Sequence, residues 1–278
     1  EKVDISIMFT DIQGFSTFSE QLEPEELVEL MVEYLSELTD IITDYGGTLD
    51  KYIGDAIDAM FGAPLPLDDH AHVSVMTAIE IQRKQAELRE KWKKEGRPDL
   101  VQEMRTRVGL NTGAAVVGNM GSTRRFNYTM MGDNVNLGAR CESGAKAYGV
   151  YTMITGDTYS AARESKDDIT YRFLDQIVVK GRTLPVKVYE VVETNNNITT
   201  ETKDCLKHYA DGMNLYLAQK WDDAIATFEK SAALEPYQPD RDPGVHTNPS
   251  QVMIARCGMM QVSPPPADWD GVFTMVSK

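Results

Sequence analysis

The sequence predicts an α+β domain followed by a small α-helical extension, on the basis of two observations. Apolar strand-like segments alternate with amphipathic helical segments as far as residue 193, and the composition then changes at the polar stretch "ETNNNITTETKD". The length of 278 residues suits one large domain with an appendage. We therefore predict a first domain at 1–193, a linker at 194–204, a helical extension at 205–262 and a Pro-rich, aromatic tail at 263–278.

The first domain begins with a strand, a helix and two further strands. Val3–Thr10 has the composition of a buried strand, and Pro24 followed by two acids opens an amphipathic helix that ends at Gly46-Gly47. Two short strands follow at about 48–53 and 56–61, joined by a Gly-Asp turn.

A long helix at 69–94, an added hairpin and late strands complete this domain. The segments "RTRVGLNTG" and "AAVVGNM" predict a strand pair with Gly113 near the turn, and "STRRFNYTMM" predicts a polar hairpin. A further helix is predicted at 132–148, and "VYTMITG" and "TLPVKVYEVV" predict late strands. The core order of strand, helix, strand, strand, helix, strand is the ferredoxin-like βαββαβ pattern.

The extension contains a stretch, "YADGMNLYLAQKWDDAIATFEKSAALEP", that resembles one tetratricopeptide repeat. Ala224, Phe228 and Pro236 have the spacing of that repeat. One repeat cannot bury its own apolar face, so we expect it to pack against a short helix near Pro249–Gln261 or against the first domain. An ordinary helical hairpin explains the pattern equally well.

Composition excludes several classes of function. The net charge of −15 argues against a nucleic-acid partner, and no apolar run reaches the length of a membrane span. The cysteines, at positions 141, 205 and 257, match no metal-binding spacing, so we expect reduced thiols in a cytoplasmic setting. Because the sequence starts with a strand and not with Met, we expect a fragment of a longer protein.

Two carboxylates interrupt apolar strand-like segments, Asp11 in "FTDIQGF" and Asp55 in "KYIGDAIDAMFG". A buried acid is costly unless its charge is compensated. If the two strands are neighbours, both carboxylates can converge on a cation, and oxygen ligands of this kind suit Mg²⁺ or Mn²⁺. The alternative is that each acid caps a turn.

Five spaced motifs resemble the successive signatures of the class III nucleotidyl cyclases. They are "FTDIQGF", "DKYIGDA", "VGLNTG", "GNMGSTRRFNYTMMGDNVNLGAR" and "KGR", and together they extend over residues 3–192. The resemblance implies an adenylyl cyclase that converts ATP to 3′,5′-cyclic AMP and pyrophosphate. In that reaction the ribose 3′-hydroxyl attacks the α-phosphate in line, assisted by two metal ions.

The resemblance assigns the metal-binding and phosphate-binding residues. Asp11 and Asp55 match the two metal-binding aspartates, which hold two Mg²⁺ or Mn²⁺ ions together with the carbonyl of Ile12. Gly14 would let the backbone approach the phosphates closely, and Phe15 would pack near the nucleotide. Lys180 in "VVKGR" matches a phosphate-contacting lysine, with Arg182 as the alternative.

Lys51 and Thr129 match the pair of residues that read the base in this family. Lys51 can donate to an acceptor nitrogen of adenine, while Thr129 can accept from the amine and could also donate. Guanylyl members resemble one another in a Glu/Cys-type pair, which this chain lacks, so ATP is favoured. Thr129 replaces the Asp of many adenylyl members, a departure that resembles a bicarbonate-stimulated subgroup. The alternative for Lys51 is a solvated lysine beside Asp50.

Asn136 and Arg140 match the pair that acts on the transition state, and their spacing of four places both on one helical face. Asn136 would orient the ribose, and Arg140 would meet charge that develops on the α-phosphate. The alternative for Arg140 is a surface arginine paired with Glu142 or an aspartate. Asp58 lies at a position that is apolar in most of the family, and the sequence offers no explanation for it.

In this family the metal-binding aspartates come from one chain and the other two residue pairs come from its partner. This chain carries both sets, so the resemblance implies a head-to-tail homodimer with two identical sites. Three alternatives remain open: a guanylyl cyclase, a catalytically inactive regulatory module that binds nucleotide or partner proteins through its helical tail, and a structural scaffold centred on that tail. Because cyclases of this family are commonly modular, the resemblance also implies an upstream sensor or membrane domain.

Overall fold

The computed structural model describes residues 1–178 and 185–274 and divides into two units. The first unit comprises Glu1–Ala145 and Tyr151–Asp167, and the second comprises Lys146–Val150 and Asp168–Lys278. The elements that lie in or begin in the first unit are β1 (Lys2–Ile12), α1 (Phe15–Ser19), α2 (Pro24–Asp44), β2 (Thr48–Ile53), β3 (Ala56–Phe61), α3 (His70–Lys94), α4 (Asp99–Gln102), β4 (Thr106–Gly121), β5 (Phe126–Met131), α5 (Asp133–Tyr148), β6 (Thr152–Thr155) and α6 (Gly156–Ser165).

The strands of the first unit lie in the order β2-β3-β1-β4-β6, and β5 pairs with β4. All of these pairs are antiparallel except β4 with β6, which is parallel. Strands β1 to β4 lie in the order β2-β3-β1-β4, which is the ferredoxin-like arrangement, so the predicted α+β fold class is confirmed.

Strand β1 has two differently covered faces, because successive side chains of a strand point to opposite sides. Ser6 and Thr10 lie on one face. Ser6 Oγ lies 2.9 Å from His70 Nδ1 of α3, and Thr10 Oγ1 accepts a hydrogen bond from the backbone N–H of Ile57. Ile5 and Ile7 lie on the other face in an apolar cluster that also contains Met60. Asp11 continues the alternation of this second face at the end of the strand.

Strand β4 differs from the prediction, which divided it into two strands near Gly113. It is one strand of 16 residues. The reason is its partner: β1 pairs with it without interruption from Lys2↔Val116 to Ile12↔Thr106, so residues on both sides of Gly113 belong to one ladder. The prediction also missed the short helices α1 and α4, the helix α6 and, in the second unit, the strands at Ile169–Val178 and Val272–Thr274.

The second unit contains β7 (Ile169–Val178), β8 (Val186–Thr194), α7 (Thr200–Leu217), α8 (Trp221–Ala232), α9 (Pro249–Val262) and β9 (Val272–Thr274). β7 pairs with β8 in antiparallel fashion and with β9 in parallel. The sequence pattern did not indicate β7 because charged residues interrupt it. Arg172 is buried and paired with Glu235 at 2.5 and 3.0 Å, which compensates its charge.

The helices of the second unit share one apolar core. Tyr209 of α7 and Phe228 of α8 are fully buried with ring centroids 5.3 Å apart, and Met253 of α9 lies in the same cluster. Helix α7 begins at Thr200, within the segment predicted as a linker, and the predicted domain boundaries stay predictions. Throughout the described residues, no helix combines the length and the apolar character that crossing a membrane requires.

Candidate active site

Two carboxylates meet where β1 ends and β3 begins. Asp11 is the penultimate residue of β1, and Asp55 lies in the turn between β2 and β3. Because β1 and β3 are antiparallel neighbours, with Thr10 opposite Ile57, this turn lies beside the end of β1. The backbone N–H of Ile12 donates to Asp55 Oδ2 at 2.9 Å. The predicted convergence of the two acids is therefore present in the structure.

The electrostatics of this pair suit a bound cation. Burial raises the pKa of Asp55 to about 6, the hydrogen bond from Ile12 opposes that rise, and the neighbouring Asp11 charge adds to it. Within the described parts of the chain, no group of three or more His, Cys, Asp and Glu side chains could hold a metal ion. Two carboxylate groups therefore need further oxygen ligands, and the Ile12 carbonyl and substrate phosphates fit the preference of Mg²⁺ or Mn²⁺.

Arg107 and Glu142 are site residues that the sequence interpretation missed. Arg107 lies opposite Asp11 in the β1–β4 ladder, and its Nη2 donates to Asp11 Oδ2 at 2.7 Å. Its Nε donates to Glu142 Oε1 at 2.9 Å, so it joins the acidic strand end to α5. A signal was available, because Arg107 lies in the apolar segment "RTRVGLNTG", where an unpaired charge would be costly.

The loop after Asp11 contains the predicted phosphate-contacting glycine. Gly14 has φ of 73°, a left-handed conformation that favours glycine, and it is exposed directly before α1. Phe15 is half-buried, and its ring meets Phe18 edge-on with centroids 5.1 Å apart. The role of both residues in binding a nucleotide stays a prediction. Lys180 and Arg182 lie outside the described residues.

The side chains of Lys51 and Thr129 lie in contact with each other, and the side chain of a third residue, Asp50, contacts both. Lys51 Nζ donates to Thr129 Oγ1 at 3.1 Å and to Asp50 Oδ2 at 3.0 Å. Thr129 Oγ1 donates to the same Asp50 oxygen at 2.6 Å. We call Asp50, Lys51 and Thr129 the Lys–Thr–Asp triad. Lys51 thus pairs with Asp50, as the alternative interpretation expected, and with Thr129 as well, and its role in reading the base stays a prediction.

A β-bulge explains how adjacent residues of β2 both reach Thr129. The pairing register with β3 shifts between Leu49 and Lys51, so that Asp50 is the extra residue. A bulge re-aims the side chains around it, whereas adjacent residues of a regular strand point to opposite faces. The Asp50 side chain is only 1% exposed, while that of Lys51 is 39% exposed and accessible to a ligand.

The triad settles which way the Thr129 hydroxyl points. An ionised carboxylate can only accept hydrogen bonds, so the hydroxyl proton of Thr129 is directed at Asp50. The oxygen of Thr129 therefore presents a lone pair, and Lys51 keeps one N–H beyond the two that it donates within the triad. The triad thus offers one acceptor and one donor to a ligand.

Helix α5 holds Asn136 and Arg140 on the sheet through an unusually close contact with β4. A Cβ atom at Gly109 would lie 2.1 Å from the backbone nitrogen of Glu142, so only glycine admits the helix at this distance. Asn136 is exposed. Arg140 has a buried Nη1 without a hydrogen-bond partner among the described residues, and Glu142 pairs with Arg107 instead.

Asn136 and Arg140 have no polar link to the carboxylate pair in the described ranges. Neither forms a side-chain hydrogen bond or ion pair with Asp11 or Asp55 there. The arrangement consists of a carboxylate pair suited to a hard cation, a triad with one donor and one acceptor, and an arginine with an unsatisfied buried nitrogen. Such a set is suited to a metal-bound nucleotide.

Comparison with known proteins identifies the family. The family model for the adenylate and guanylate cyclase catalytic domain matches residues 1–194. The chain therefore belongs to this family, the class III adenylyl and guanylyl cyclases.

Curated relatives include adenylate cyclases from distant organisms. Adenylate cyclase 1 of Rhizobium meliloti (strain 1021) is 34% identical over 197 residues, which are 71% of this chain and 29% of the relative. The terminal-differentiation specific adenylate cyclase of Dictyostelium discoideum is 30% identical over 257 residues, which are 91% of this chain and 11% of the relative. The chain thus spans less than a third of the length of either protein.

Solved structures of both cyclase types resemble the chain. The adenylyl cyclase CyaB from P. aeruginosa has a TM-score of 0.63 and 34% identity, and the match covers 72% of this chain and 98% of that one. The guanylyl cyclase Cya2 has a TM-score of 0.61 and 32% identity, and the match covers 72% of this chain and 96% of that one. Similarity of this kind defines the family but does not distinguish ATP from GTP.

Proposed function

We propose that the chain is an adenylyl cyclase that converts ATP to 3′,5′-cyclic AMP and pyrophosphate. The observation that carries this proposal is the Lys–Thr–Asp triad. Adenine has an acceptor nitrogen next to an exocyclic amine, whereas guanine has a ring N–H next to a carbonyl oxygen. The remaining Lys51 N–H suits the acceptor nitrogen of adenine, and the Thr129 lone pair suits its amine. Guanine would oppose donor to donor and acceptor to acceptor.

The chain's own residues have distinct roles in this proposal. Asp11 and Asp55, with the Ile12 carbonyl, would hold two Mg²⁺ or Mn²⁺ ions, which when bound polarise the 3′-hydroxyl and neutralise phosphate charge. Asn136 orients the ribose and Arg140 stabilises the charge on the α-phosphate in the transition state. The 3′-oxygen forms a bond to the α-phosphorus as the bond to pyrophosphate breaks, and the hydroxyl proton is released.

Further contacts to phosphate complete the proposed site. The backbone at Gly14 approaches the triphosphate, Phe15 packs beside the nucleotide, and Lys180 or Arg182 contacts a phosphate. Arg107 holds Asp11 in position through the hydrogen bond between them.

We also propose that the active form is a head-to-tail homodimer. Two observations support a shared site: each chain has both residue sets, and within the described residues no hydrogen bond or ion pair joins Asn136 or Arg140 to Asp11 or Asp55. In such a dimer, Asp11 and Asp55 of one protomer face the triad and Arg140 of its partner. Stimulation by bicarbonate, inferred from Thr129 alone, and an upstream sensor or membrane domain stay predictions.

A product assay tests the activity and the nucleotide together. The purified chain is incubated with ATP or GTP in Mn²⁺ and then in Mg²⁺, and cyclic AMP and cyclic GMP are quantified. We expect cyclic AMP to predominate. Cyclic GMP as the main product would make the chain a guanylyl cyclase, and no product from either nucleotide in either metal would support the inactive regulatory module.

A double substitution tests the base contacts. Lys51→Glu combined with Thr129→Cys exchanges the donor and acceptor pattern of the triad, so we expect weaker use of ATP and a gain in use of GTP. Each single discrimination of this kind is worth about 1–3 kcal/mol. Unchanged ATP selectivity in the double variant would show that these residues do not read the base.

A further inference from the structure

Asp58 is a buried acid that has no part in the proposed reaction. It lies in β3, directly opposite Lys51 of β2 and opposite Phe9 of β1. It is 3% exposed, and it has no hydrogen bond or ion pair within the described residues. A buried carboxylate without a partner is costly, so its presence in the core strand needs an explanation.

The surroundings of Asp58 belong to the base-reading triad. Directly opposed residues on neighbouring strands share one face of the sheet, so Asp58 lies on the same side of the sheet as Lys51. Burial raises the pKa of Asp58 to about 6, the Lys51 charge opposes that rise, and the Asp50 charge adds to it. On the β1 side its neighbour Phe9 is uncharged, and no other described charged group contributes to this shift.

The triad itself contains an unsatisfied acceptor. Asp50 Oδ1 is buried and has no hydrogen-bond partner in the described ranges. Two acidic side chains, Asp50 and Asp58, thus act on one ammonium group, that of Lys51. The edge of the site that meets the purine consequently carries an excess of one negative charge.

We propose that Asp58 is a positioning residue that sets nucleotide selectivity, because its charge beside Lys51 favours a purine with an amine at the contacted edge over one with a carbonyl oxygen. The excess negative charge attracts the hydrogens of an amine and repels a carbonyl oxygen. It also holds the Lys51 ammonium group on this face of the sheet. This inference rests on the proposed function, and it concerns a residue that does not touch the base.

The test compares two nucleotides, so that titrations common to both cancel. The ratio of kcat/KM for ATP to kcat/KM for GTP is measured in Mn²⁺ from about pH 5.5 to about pH 8, a range in which neither purine ring titrates and Asp58 does. Protonation of Asp55 or of the triphosphate changes both values alike and leaves the ratio unchanged. We expect the wild-type ratio to fall as the pH decreases through about 6.

Asp58→Asn removes the charge and keeps the shape of the side chain. We expect it to lower the ATP-to-GTP ratio at neutral pH by roughly three- to tenfold, as one partly screened charge can, and to remove the pH dependence of the ratio. The effect should lie mainly in KM. Asp44→Asn, which removes a charge from the exposed end of α2, is the matched control and should behave as wild type.

Two results would overturn the inference: a wild-type ratio that does not vary with pH, or an Asp58→Asn ratio that equals the wild-type ratio. The wild-type pH series alone decides the question if Asp58→Asn does not fold. If the chain forms no cyclic nucleotide, the proposed function fails, and the same comparison is made by displacement of a fluorescent nucleotide by ATP and GTP. If the ratio of the affinities for ATP and GTP is then the same in the wild type and in Asp58→Asn, the inference about Asp58 is overturned independently of the proposed function.

Discussion

At the scale of single residues, the site depends on charges that the protein alone leaves incompletely compensated. Asp55 accepts a hydrogen bond from Ile12 but lies close to the negative charge of Asp11, and burial together with that charge raises its pKa to about 6. Arg107 compensates Asp11 at 2.7 Å. A carboxylate pair of this kind favours a cation and costs stability in its absence.

We predict that Asp55→Asn stabilises the metal-free protein and abolishes its stabilisation by metal. The pKa of Asp55 is raised from 3.8 to about 6 in the folded state. The ionised carboxylate therefore destabilises the fold fully above about pH 6, and this destabilisation disappears as the pH falls below 3.8, the pKa of the group in the unfolded chain. We expect a gain of roughly 1 kcal/mol in the free energy of unfolding at neutral pH, allowing for solvent screening. Urea unfolding with and without Mn²⁺ measures both effects.

The exposed substitution Asp44→Asn controls for the loss of one negative charge. Equal stability of Asp55→Asn and wild type at neutral pH without metal would show that the charge of Asp55 does not destabilise the fold. An equal increase in stability of the two proteins on addition of Mn²⁺ would show that Asp55 is not a metal ligand.

At the scale of elements, close packing of α5 on β4 positions the residues proposed to act on the transition state. Gly109 admits the helix backbone, and Gly138 of the helix lies against Ile7 and Phe9, where a Cβ atom would be 3.3 Å from each side chain. The Arg107–Glu142 ion pair adds a polar link between the same two elements. The position of Arg140 therefore depends on residues that bind no substrate.

We predict that Gly109→Ala destabilises the protein and lowers its turnover. The added methyl group would collide with backbone atoms of α5, which cannot move aside as a flexible side chain can. Overpacking of this kind costs about 1–3 kcal/mol or more, and the displaced helix would carry Asn136 and Arg140 out of place. Thermal unfolding and initial rates at saturating ATP measure the two effects.

Gly258→Ala is the matched control, because no atom lies within 4 Å of its added Cβ and the residue is in helix α9. There the same substitution should be neutral or stabilising by up to about 1 kcal/mol. If Gly109→Ala behaves like Gly258→Ala, the close contact does not position α5.

At the scale of the whole molecule, we propose that the residues of the site divide between two copies of the chain. Asp55→Ala should remove metal binding, and Arg140→Ala should lower turnover by a factor on the order of 100–1,000. Each homodimer should be nearly inactive, because each of its two sites lacks one part.

Co-expression of Asp55→Ala with Arg140→Ala distinguishes a shared site from a complete site in each chain. In a mixed dimer with shared sites, one site carries both lesions and the other carries none. With random pairing half of the dimers are mixed, so activity should recover to about a quarter of the wild-type value. Recovery near zero, with mixed dimers demonstrated by two affinity tags, would refute the shared site.

The strands of the second unit are expected to depend on helices α7–α9 for part of their stability. A chain that ends at residue 194 would retain β7 but lose the α7–α9 cluster that covers Phe173, and Arg172 would lose Glu235. Breaking a buried ion pair costs about 3–5 kcal/mol, and the retained Glu190 would reduce this cost. We therefore predict a clearly lower Tm than in a chain that ends at residue 262, which keeps all three helices. Equal Tm values for the two truncations would contradict this dependence.

The sequence by itself determined the family, the α+β core and the identity of the acids, because these depend on local patterns at regular spacing. Asp11, Asp55, Lys51 and Thr129 could be chosen from motifs, and their pairing in space followed from neighbouring strands. Only the tertiary structure decided the continuity of β4, the place of Asp50 in the triad, the link through Arg107 and the position of Asp58 opposite Lys51. Each depends on strand register, a bulge or a long-range ion pair, and residues far apart in the chain determine these contacts.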